Sequence, residues 1–222
     1  MTPHMHEVGG FLLVAADGDR RAVASPVKRV GDVILSALLL VVLAPLFVVI
    51  AILVRLTSPG SVLFAQKRIG YQCREFEMYK FRTMVPGAEI LEEQMSRELA
   101  PDHTFFKLPS DPRTTRFGRW LRHTSMDELP QLYNVLLGDM SLVGPRPLLV
   151  SDFKKFPKGE QLRRFAVKPG ITGLWQVSGR NRLSDERRME LDVEYVEAWS
   201  HGRDLNILVR TLPAVLRGTG AF

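Results

Sequence analysis

Two adjacent carboxylates, Asp127 and Glu128, lie in a part of the chain that is rich in arginine. Arg122 precedes them, and Arg146 follows between two prolines in the segment Gly144-Pro-Arg-Pro. An ionised carboxylate can attack phosphorus or hold a divalent cation, and guanidinium groups bind phosphate oxygens in a bidentate fashion. The combination therefore indicates phosphoryl chemistry.

Helix capping is the alternative role for this carboxylate pair. The spacing Ser125-x-x-Glu128 matches a capping box, and Pro130 is well tolerated in the first turn of a helix. This predicts Asp127 as the N-cap of a helix over residues 129–137, with its carboxylate kept ionised by free backbone N–H groups. Spacing alone favours capping over catalysis.

More cationic side chains lie in segments that can hold them in place. Lys80 and Arg82 alternate in a predicted strand, so both are expected to project toward one face. Arg180 ends a second glycine-rich loop, and arginines fixed by glycine and proline loops suit phosphate binding. The candidate phosphate ligands are Lys80, Arg82, Arg122, Arg146 and Arg180.

A membrane-length apolar segment is the second prominent feature. Residues 33–54 contain no charged side chain and would extend about 33 Å as a helix. Pro45 lies in the middle and predicts a kink. Basic residues flank both ends, so the positive-inside rule is best satisfied when both ends stay cytoplasmic. These features favour a re-entrant helix that bends at Pro45 and returns, with a kinked transmembrane helix as the alternative.

The remaining pattern predicts a mostly helical α+β catalytic domain with a short β-hairpin. Three units are expected: a flexible tail over 1–27, with one short strand at 11–15, the membrane helix-break-helix over 28–56, and a membrane-associated domain over 57–222. The last helix, over 204–217, is amphipathic and basic, which suits either a membrane surface or core packing. The predicted strands are 61–66 and 73–81; the other predicted helices are 88–99, 117–122 and 183–198, and the predicted loops are 138–147 and 168–179.

Composition narrows the functional class. The chain of 222 residues has a net charge of +6, which suits nucleic acid, anionic lipid or phosphate-rich substrates. Its single cysteine excludes an intramolecular disulfide and a thiolate zinc cluster. Nucleic acid is not an expected partner, because the chain has no recognisable binding motif and the apolar segment would have no role. A non-catalytic membrane-anchored module remains the competing class, although such a module does not need arginines and carboxylates in glycine- and proline-rich loops.

Several ordered motifs resemble one family, the bacterial sugar transferases, which are small monotopic polyprenyl-phosphate phosphoglycosyl transferases. The resemblance extends from Lys28 to the C-terminus. Its motifs are Tyr79-Lys-Phe-Arg-Thr-Met84, Asp127-Glu-Leu-Pro-Gln-Leu, Gly138-Asp-Met-Ser-Leu-Val-Gly-Pro-Arg-Pro147, Lys168-Pro-Gly-Ile-Thr-Gly173 and Gly179-Arg-Asn181.

The resemblance implies a reaction and a set of roles. Sugar-1-phosphate would pass from a UDP-sugar to undecaprenyl phosphate, with release of UMP, to initiate exopolysaccharide or other glycoconjugate synthesis. Asp127 would be the nucleophile that forms a covalent sugar-phosphate intermediate, and Glu128 with Asp127 would hold Mg²⁺. The five cations named above would line the site.

The resemblance also implies a location. The catalytic domain would lie on the cytoplasmic face of the bacterial inner membrane, against anionic headgroups. The family often has a serine before the helix-breaking proline, where this chain has Ala44. Glucose and galactose are the family's common sugars, and neither the sugar nor a homodimer can be read from the sequence.

Overall fold

The computed structural model describes residues 5–8, 11–14, 25–88, 112–155, 159–179 and 182–216. It confirms an α+β architecture in which helices pack around small sheets. In chain order the elements are β1 Met5–Val8, β2 Phe11–Val14, α1 Pro26–Val42, α2 Ala44–Thr57, β3 Leu63–Ile69, β4 Glu75–Phe81, α3 Arg116–His123, α4 Gln131–Leu137, β5 Ser141–Val143, β6 Leu148–Leu149, α5 Val150–Lys155, β7 Gly170–Thr172, α6 Leu174–Val177, α7 Asp185–Glu197 and α8 His201–Leu216.

The predicted β-hairpin is confirmed as the antiparallel pair β3–β4. Its register runs from Leu63 opposite Phe81 to Ile69 opposite Glu75. Strand β6 adds to the free edge of β3, which makes a three-stranded sheet. A separate hairpin joins β1 and β2 near the N-terminus, where the sequence predicted one strand.

The prediction that the two glycine-rich segments are only loops is wrong, because a short strand in each forms a small parallel sheet. Strands β5 and β7 lie within residues 138–147 and 168–179, and they pair with each other. The glycines allow the two chains to touch, because a Cβ atom added at Gly170 would lie 2.1 Å from the backbone nitrogen of Gly144. Strands of three residues are too short for a periodic pattern to reveal.

The main hydrophobic core lies between this small sheet and the helices around it. Its fully buried members come from α4, the β5 segment, α7 and α8; they include Val135, Met140, Val143, Tyr195, Val196 and Ile207. One side of α1 packs against the same core through Leu35, Leu39, Leu40 and Leu43. A second cluster joins Ile50 and Val54 of α2 to Phe81 and Leu121.

The apolar segment forms two helices bent by 62°, which confirms the predicted break. Leu43 separates α1 from α2, and Pro45 lies in the first turn of α2, where its missing N–H needs no partner. The break therefore forms although Ala44 stands where a serine was expected. Within the described ranges, only this bent pair, and no single helix, has the length and apolarity of a candidate membrane span.

Both outer ends of the bent pair contact the rest of the domain. At the start of α1, Lys28 forms an ion pair with Asp204 of α8 at 2.5 Å, and the Asp32 carboxylate accepts from the Leu142 backbone N–H at 3.2 Å. At the end of α2, Val54 is buried in the second cluster. The opposite sides of the two helices are exposed and apolar; they carry Val30, Ile34, Leu38, Val41, Val42, Val48, Val49, Ile52, Leu53 and Leu56.

Helix α8 is apolar on two sides: core packing is confirmed for one of them, and contact of the other with a membrane surface stays a prediction. Ile207 is buried in the core, and Leu208 packs against it. Leu205, Val209 and Leu212 are exposed and follow one another at helical spacing. Of the predicted helix over 88–99, all but Ala88 lies outside the described residues.

Candidate active site

The carboxylate pair projects from a tight turn. Asp127 and Glu128 belong to a 3₁₀ turn, Met126–Glu128, that connects α3 to α4. Met126 and Leu129, on either side of Asp127, pack against the Phe81 and Leu121 cluster. This anchoring places the Asp127 side chain inside the domain, where only 8% of the residue is exposed.

The predicted capping role of Asp127 is wrong. Helix α4 begins at Gln131 with Pro130 before it, so Asp127 lies outside the cap position. Ser125 has a left-handed backbone with φ of 56°, whereas an N-cap residue is extended, and its side chain makes no capping hydrogen bond. The Glu128 carboxylate, which would complete the capping box, instead accepts hydrogen bonds from Arg146.

Glu128 is held by Arg146 in a two-pronged ion pair. Arg146 Nη1 donates to Glu128 Oε2 at 3.2 Å, and Arg146 Nη2 donates to Oε1. Burial alone would raise the pKa of Glu128, but the charge and hydrogen bonds of Arg146, with help from Lys80, lower this pKa below its usual value. Arg146 is in turn fixed through its backbone oxygen, which accepts from Arg164 Nη2 at 2.6 Å.

Asp127 has no hydrogen bond to any residue that the structure describes. Its pKa is raised from 3.8 to about 7, mainly by burial and then by the neighbouring Glu128 charge. Lys80, Arg122 and Arg146 oppose the rise because their positive charges favour the carboxylate. The expectation that a helix N-terminus keeps Asp127 ionised is therefore wrong, since burial dominates and no capped helix supports it.

Lys80 and Arg122 approach Asp127 from different elements. Lys80 lies on β4, with its ammonium 5.2 Å from the centre of the Phe64 ring, and burial with the Arg68 charge lowers its pKa to about 8. Arg122 lies in the last turn of α3, and its guanidinium donates to Thr83 Oγ1 at 2.9 Å. Two of the predicted cations therefore influence the same carboxylate, as Arg146 also does.

Arg82 points elsewhere. Its Nη1 donates to the Pro59 carbonyl oxygen at 2.8 Å, and its Nη2 donates to that of Ser58 at 2.5 Å. It thus closes the turn after α2 rather than joining the carboxylate cluster. Arg180 lies outside the described residues. Substrate binding by these two side chains stays a prediction.

The sequence interpretation missed two groups at this site. Gln66 and Arg68 alternate on β3, where both are partly buried and the residue before each is exposed, but this alternation lies in the burial and not in the residue types. Arg164 forms a buried ion pair with Asp192 at 2.6 Å. Burial raises the pKa of Asp192 to about 6, against the opposing charge of Arg164. No local pattern could reveal this pair, because it joins residues far apart in sequence.

A magnesium ion fits the donors at this site only with help from a substrate. Among the described residues, no group of three or more His, Cys, Asp or Glu side chains is placed to share a metal. Magnesium is commonly held by one or two carboxylates, with waters and substrate phosphates completing its six ligands. Asp127 and Glu128 supply that number of carboxylates, and Glu128 would share its oxygens between the cation and Arg146, which engages both of them.

Sequence comparisons place the chain among known relatives. The profile of the bacterial sugar transferase family matches residues 23–218. The exopolysaccharide production protein ExoY of Rhizobium meliloti (strain 1021) is 38% identical over 218 residues, which cover 96% of this chain and 95% of ExoY. The galactosyl transferase CpsE of Streptococcus agalactiae serotype III (strain NEM316) is 48% identical over 163 residues, which are 73% of this chain but 36% of CpsE.

A third relative has a more specific name. The UDP-glucose:undecaprenyl-phosphate glucose-1-phosphate transferase of Caulobacter vibrioides (strain ATCC 19089 / CIP 103742 / CB 15) is 41% identical over 202 residues, covering 88% of this chain and 72% of that protein. The chain thus spans nearly all of ExoY but about a third of CpsE. The chain belongs to the bacterial sugar transferase family.

Proposed function

We propose that this protein transfers a sugar-1-phosphate from a UDP-sugar to undecaprenyl phosphate, releases UMP, and thereby begins the assembly of an exopolysaccharide or another glycoconjugate. The names of its relatives support the donor and acceptor classes, and one names this overall transfer. The site supports the chemistry, because cationic side chains outnumber the two carboxylates around which they gather.

The reaction has two displacements at one phosphorus atom. The Asp127 carboxylate attacks the phosphorus that carries the sugar, and the bond from this phosphorus to the bridging oxygen breaks, so UMP leaves with that oxygen. A phosphate oxygen of the polyprenyl acceptor then attacks the same phosphorus. The bond to Asp127 breaks, the carboxylate is restored, and polyprenyl diphosphate sugar is the product.

The contrast between the two carboxylates carries this proposal. Glu128 has both oxygens engaged by Arg146, whereas Asp127 is buried without a hydrogen bond to a described residue. A carboxylate that is not held by hydrogen bonds can reach an incoming phosphorus at little cost. The arrangement thus supports Asp127 as the nucleophile and Glu128 as the group that orders Arg146.

The cations have the role of holding phosphate oxygens while charge moves. Arg122, Arg146 and Lys80 all favour the ionised form of Asp127, and they would bind the phosphates of donor and acceptor in turn. Asp127 and Glu128 would hold Mg²⁺, which when bound neutralises the charge of the diphosphate.

The bent helix pair fits a re-entrant anchor in the cytoplasmic leaflet. Both outer ends of the pair contact one catalytic domain, while the exposed sides are apolar. A spanning helix would carry one end away to the other side of the bilayer. Such an anchor would keep the site at the headgroup level, where the acceptor phosphate lies, and the exposed Leu205, Val209 and Leu212 of α8 would touch the same surface.

A UMP-release screen tests the proposal. The purified protein in detergent is incubated with Mg²⁺, undecaprenyl phosphate and each of several UDP-sugars, and UMP and lipid product are quantified. One or a few UDP-sugars should give equal amounts of UMP and polyprenyl diphosphate sugar. Absence of UMP with every donor would favour the non-catalytic module.

Topology is tested separately by cysteine labelling. With the native Cys73 replaced by serine, single cysteines placed at Ser25, before α1, and at Ser61, after α2, should react from the same side of inverted membrane vesicles. Reaction from opposite sides would establish a spanning helix, without affecting the catalytic proposal.

A further inference from the structure

The β3 strand presents two polar side chains, Gln66 and Arg68, that the proposed mechanism does not use. Phe64, Gln66 and Arg68 are partly buried, while the residues between them are exposed. Lys80 of β4 lies directly opposite Phe64 in the hairpin register. Because paired residues project to the same side of a sheet, Gln66, Arg68 and Lys80 share one face.

Two cations on this face converge on one neutral oxygen. Arg68 Nη2 donates to Gln66 Oε1 at 2.8 Å, and Lys80 Nζ lies 3.5 Å from the same oxygen. Arg68 Nη1 also approaches the Pro147 carbonyl oxygen at 3.4 Å. Arg68 Nε is buried and has no hydrogen-bond partner in the described part of the chain, where Arg68 also forms no ion pair.

Holding these charges together is unfavourable, because the nearby carboxylates offset their burial and mutual repulsion only in part. Burial and then the Arg146 charge lower the pKa of Arg68 to about 10, although Glu128 and Asp152 partly offset this. The Arg68 charge in turn lowers the pKa of Lys80. Cations that are removed from water and repel one another become favourable only when an anion joins them.

The position of Arg68 connects this face to the carboxylate site. Its Nη1 approaches the residue that follows Arg146, and its charge lowers the pKa of Glu128. An anion bound by Arg68 would therefore lie beside the Glu128–Arg146 ion pair. The face is an extension of the active site and not a separate patch.

We infer that Arg68, together with Lys80, forms a phosphate-binding subsite, and that Gln66 positions both cations by accepting from each of them. The assignment of the phosphate rests on the proposed function: it belongs either to the diphosphate of the nucleotide donor or to the polyprenyl acceptor. A guanidinium fork matches two oxygens of either group.

Binding measurements can distinguish the two phosphates. UDP and a short-chain polyprenyl phosphate are titrated separately, by calorimetry in detergent with Mg²⁺, into wild type, Arg68→Ala and Lys67→Ala. Lys67 is the matched control, because it is the next residue on β3, loses the same charge and is exposed on the other face. Loss of a charged hydrogen-bonding group from phosphate weakens binding about 10- to 100-fold.

Each outcome has a defined meaning. If Arg68→Ala weakens UDP, the subsite holds the donor diphosphate, and if it weakens only the polyprenyl phosphate, the subsite holds the acceptor. If both affinities match those of Lys67→Ala, the subsite does not exist. Should Arg68→Ala fail to fold, Arg68→Lys and Gln66→Ala serve instead; each should weaken one ligand several-fold, and control-like affinities would again overturn the inference.

The same variants separate this inference from the proposed function. Arg68-dependent binding of UDP without UMP release from any UDP-sugar would leave the subsite standing and refute the transfer. Normal UMP release by Arg68→Ala, with substrate affinities equal to those of Lys67→Ala, would leave the transfer standing and refute the subsite.

Discussion

The bent helix pair and the carboxylate site depart from ordinary burial in opposite ways. On α1 and α2 a series of apolar side chains, from Val30 to Leu56, faces outward. Around Asp127 charged side chains face inward, and burial raises the pKa of Asp127 to about 7. The proposed contact with lipid would account for the first departure, and the proposed phosphate substrates would account for the second. Together they fit an enzyme that handles phosphates beside a lipid phase.

The largest expected effect is the loss of turnover when the Asp127 carboxylate is removed. Asp127→Asn keeps the size of the side chain but removes the nucleophile, so turnover in the UMP-release assay should fall at least about a thousandfold. Asp185→Asn, a similar change at a partly exposed residue in the first turn of α7, should leave turnover within about twofold. Near-normal turnover of Asp127→Asn would show that the inward charges have a structural purpose only.

The junction between the two regions should show the next largest effect. The Asp204 carboxylate accepts hydrogen bonds from Lys28 of α1 at 2.5 Å, from the Tyr195 hydroxyl at 2.7 Å and from the Trp199 indole N–H at 3.2 Å. Asp204→Ala leaves the largely buried Lys28 charge without its carboxylate, which should lower the free energy of unfolding by about 3 kcal/mol.

Thermal and denaturant unfolding in detergent measures this loss. Glu194→Ala is the control, because it removes an exposed ion pair with Arg203 and should cost under about 1 kcal/mol. Equal losses in the two variants would mean that α1 is not fastened to the domain through Asp204.

A charge added to the exposed apolar sides of α1 and α2 should weaken membrane binding, whereas a charge added to the exposed side of β3 should not. Leu38→Asp and Ile52→Asp each place a carboxylate on an exposed apolar side, at a cost of about 2.5 to 3.5 kcal/mol in a membrane interior. The membrane-bound fraction in a flotation experiment should therefore fall, and more so in the double variant. Ala65→Asp, on the exposed side of β3, should float like the wild type. Unchanged flotation of the double variant would place these helices outside the membrane.

The pH dependence of the first displacement should be the mildest effect. Because the pKa of Asp127 is raised from 3.8 to about 7, the attacking carboxylate is lost as the pH falls through 7. The rate of UMP release without acceptor should then fall about tenfold per pH unit below that midpoint. Added Mg²⁺ should move the midpoint lower, because a cation favours the ionised carboxylate. A flat profile from about pH 5 to 8 at low Mg²⁺ would contradict the buried environment of Asp127.

The sequence predicts this molecule best where a pattern is long. The apolar run with its proline predicts two helices and a break, and the alternating pattern predicts the β3–β4 hairpin. It fails where tertiary contacts decide. Asp127 lies in a 3₁₀ turn fixed by packing, and Arg82 turns away because β4 ends at Phe81, before the alternation reaches it.

Long-range pairing is the part of the site that local patterns cannot supply. Arg146 follows the carboxylates closely enough to be suspected, but its attachment to Glu128 depends on how the β5 segment folds back. The buried Arg164–Asp192 pair joins α7 to the turn before β7, and neither segment has a sequence pattern that predicts its partner. The motif resemblance predicts which residues carry the chemistry but not how they are arranged.

The most direct test of the central claim is the mass of the intact protein after reaction with donor alone. Wild type is incubated with Mg²⁺ and the UDP-sugar that supports UMP release, without acceptor, and is then analysed by mass spectrometry with peptide mapping. The account predicts a mass increase equal to one sugar-phosphate, located on Asp127, discharged by undecaprenyl phosphate and lacking in Asp127→Asn. A protein that turns over fully yet never carries this mass, or carries it on another residue, would contradict it.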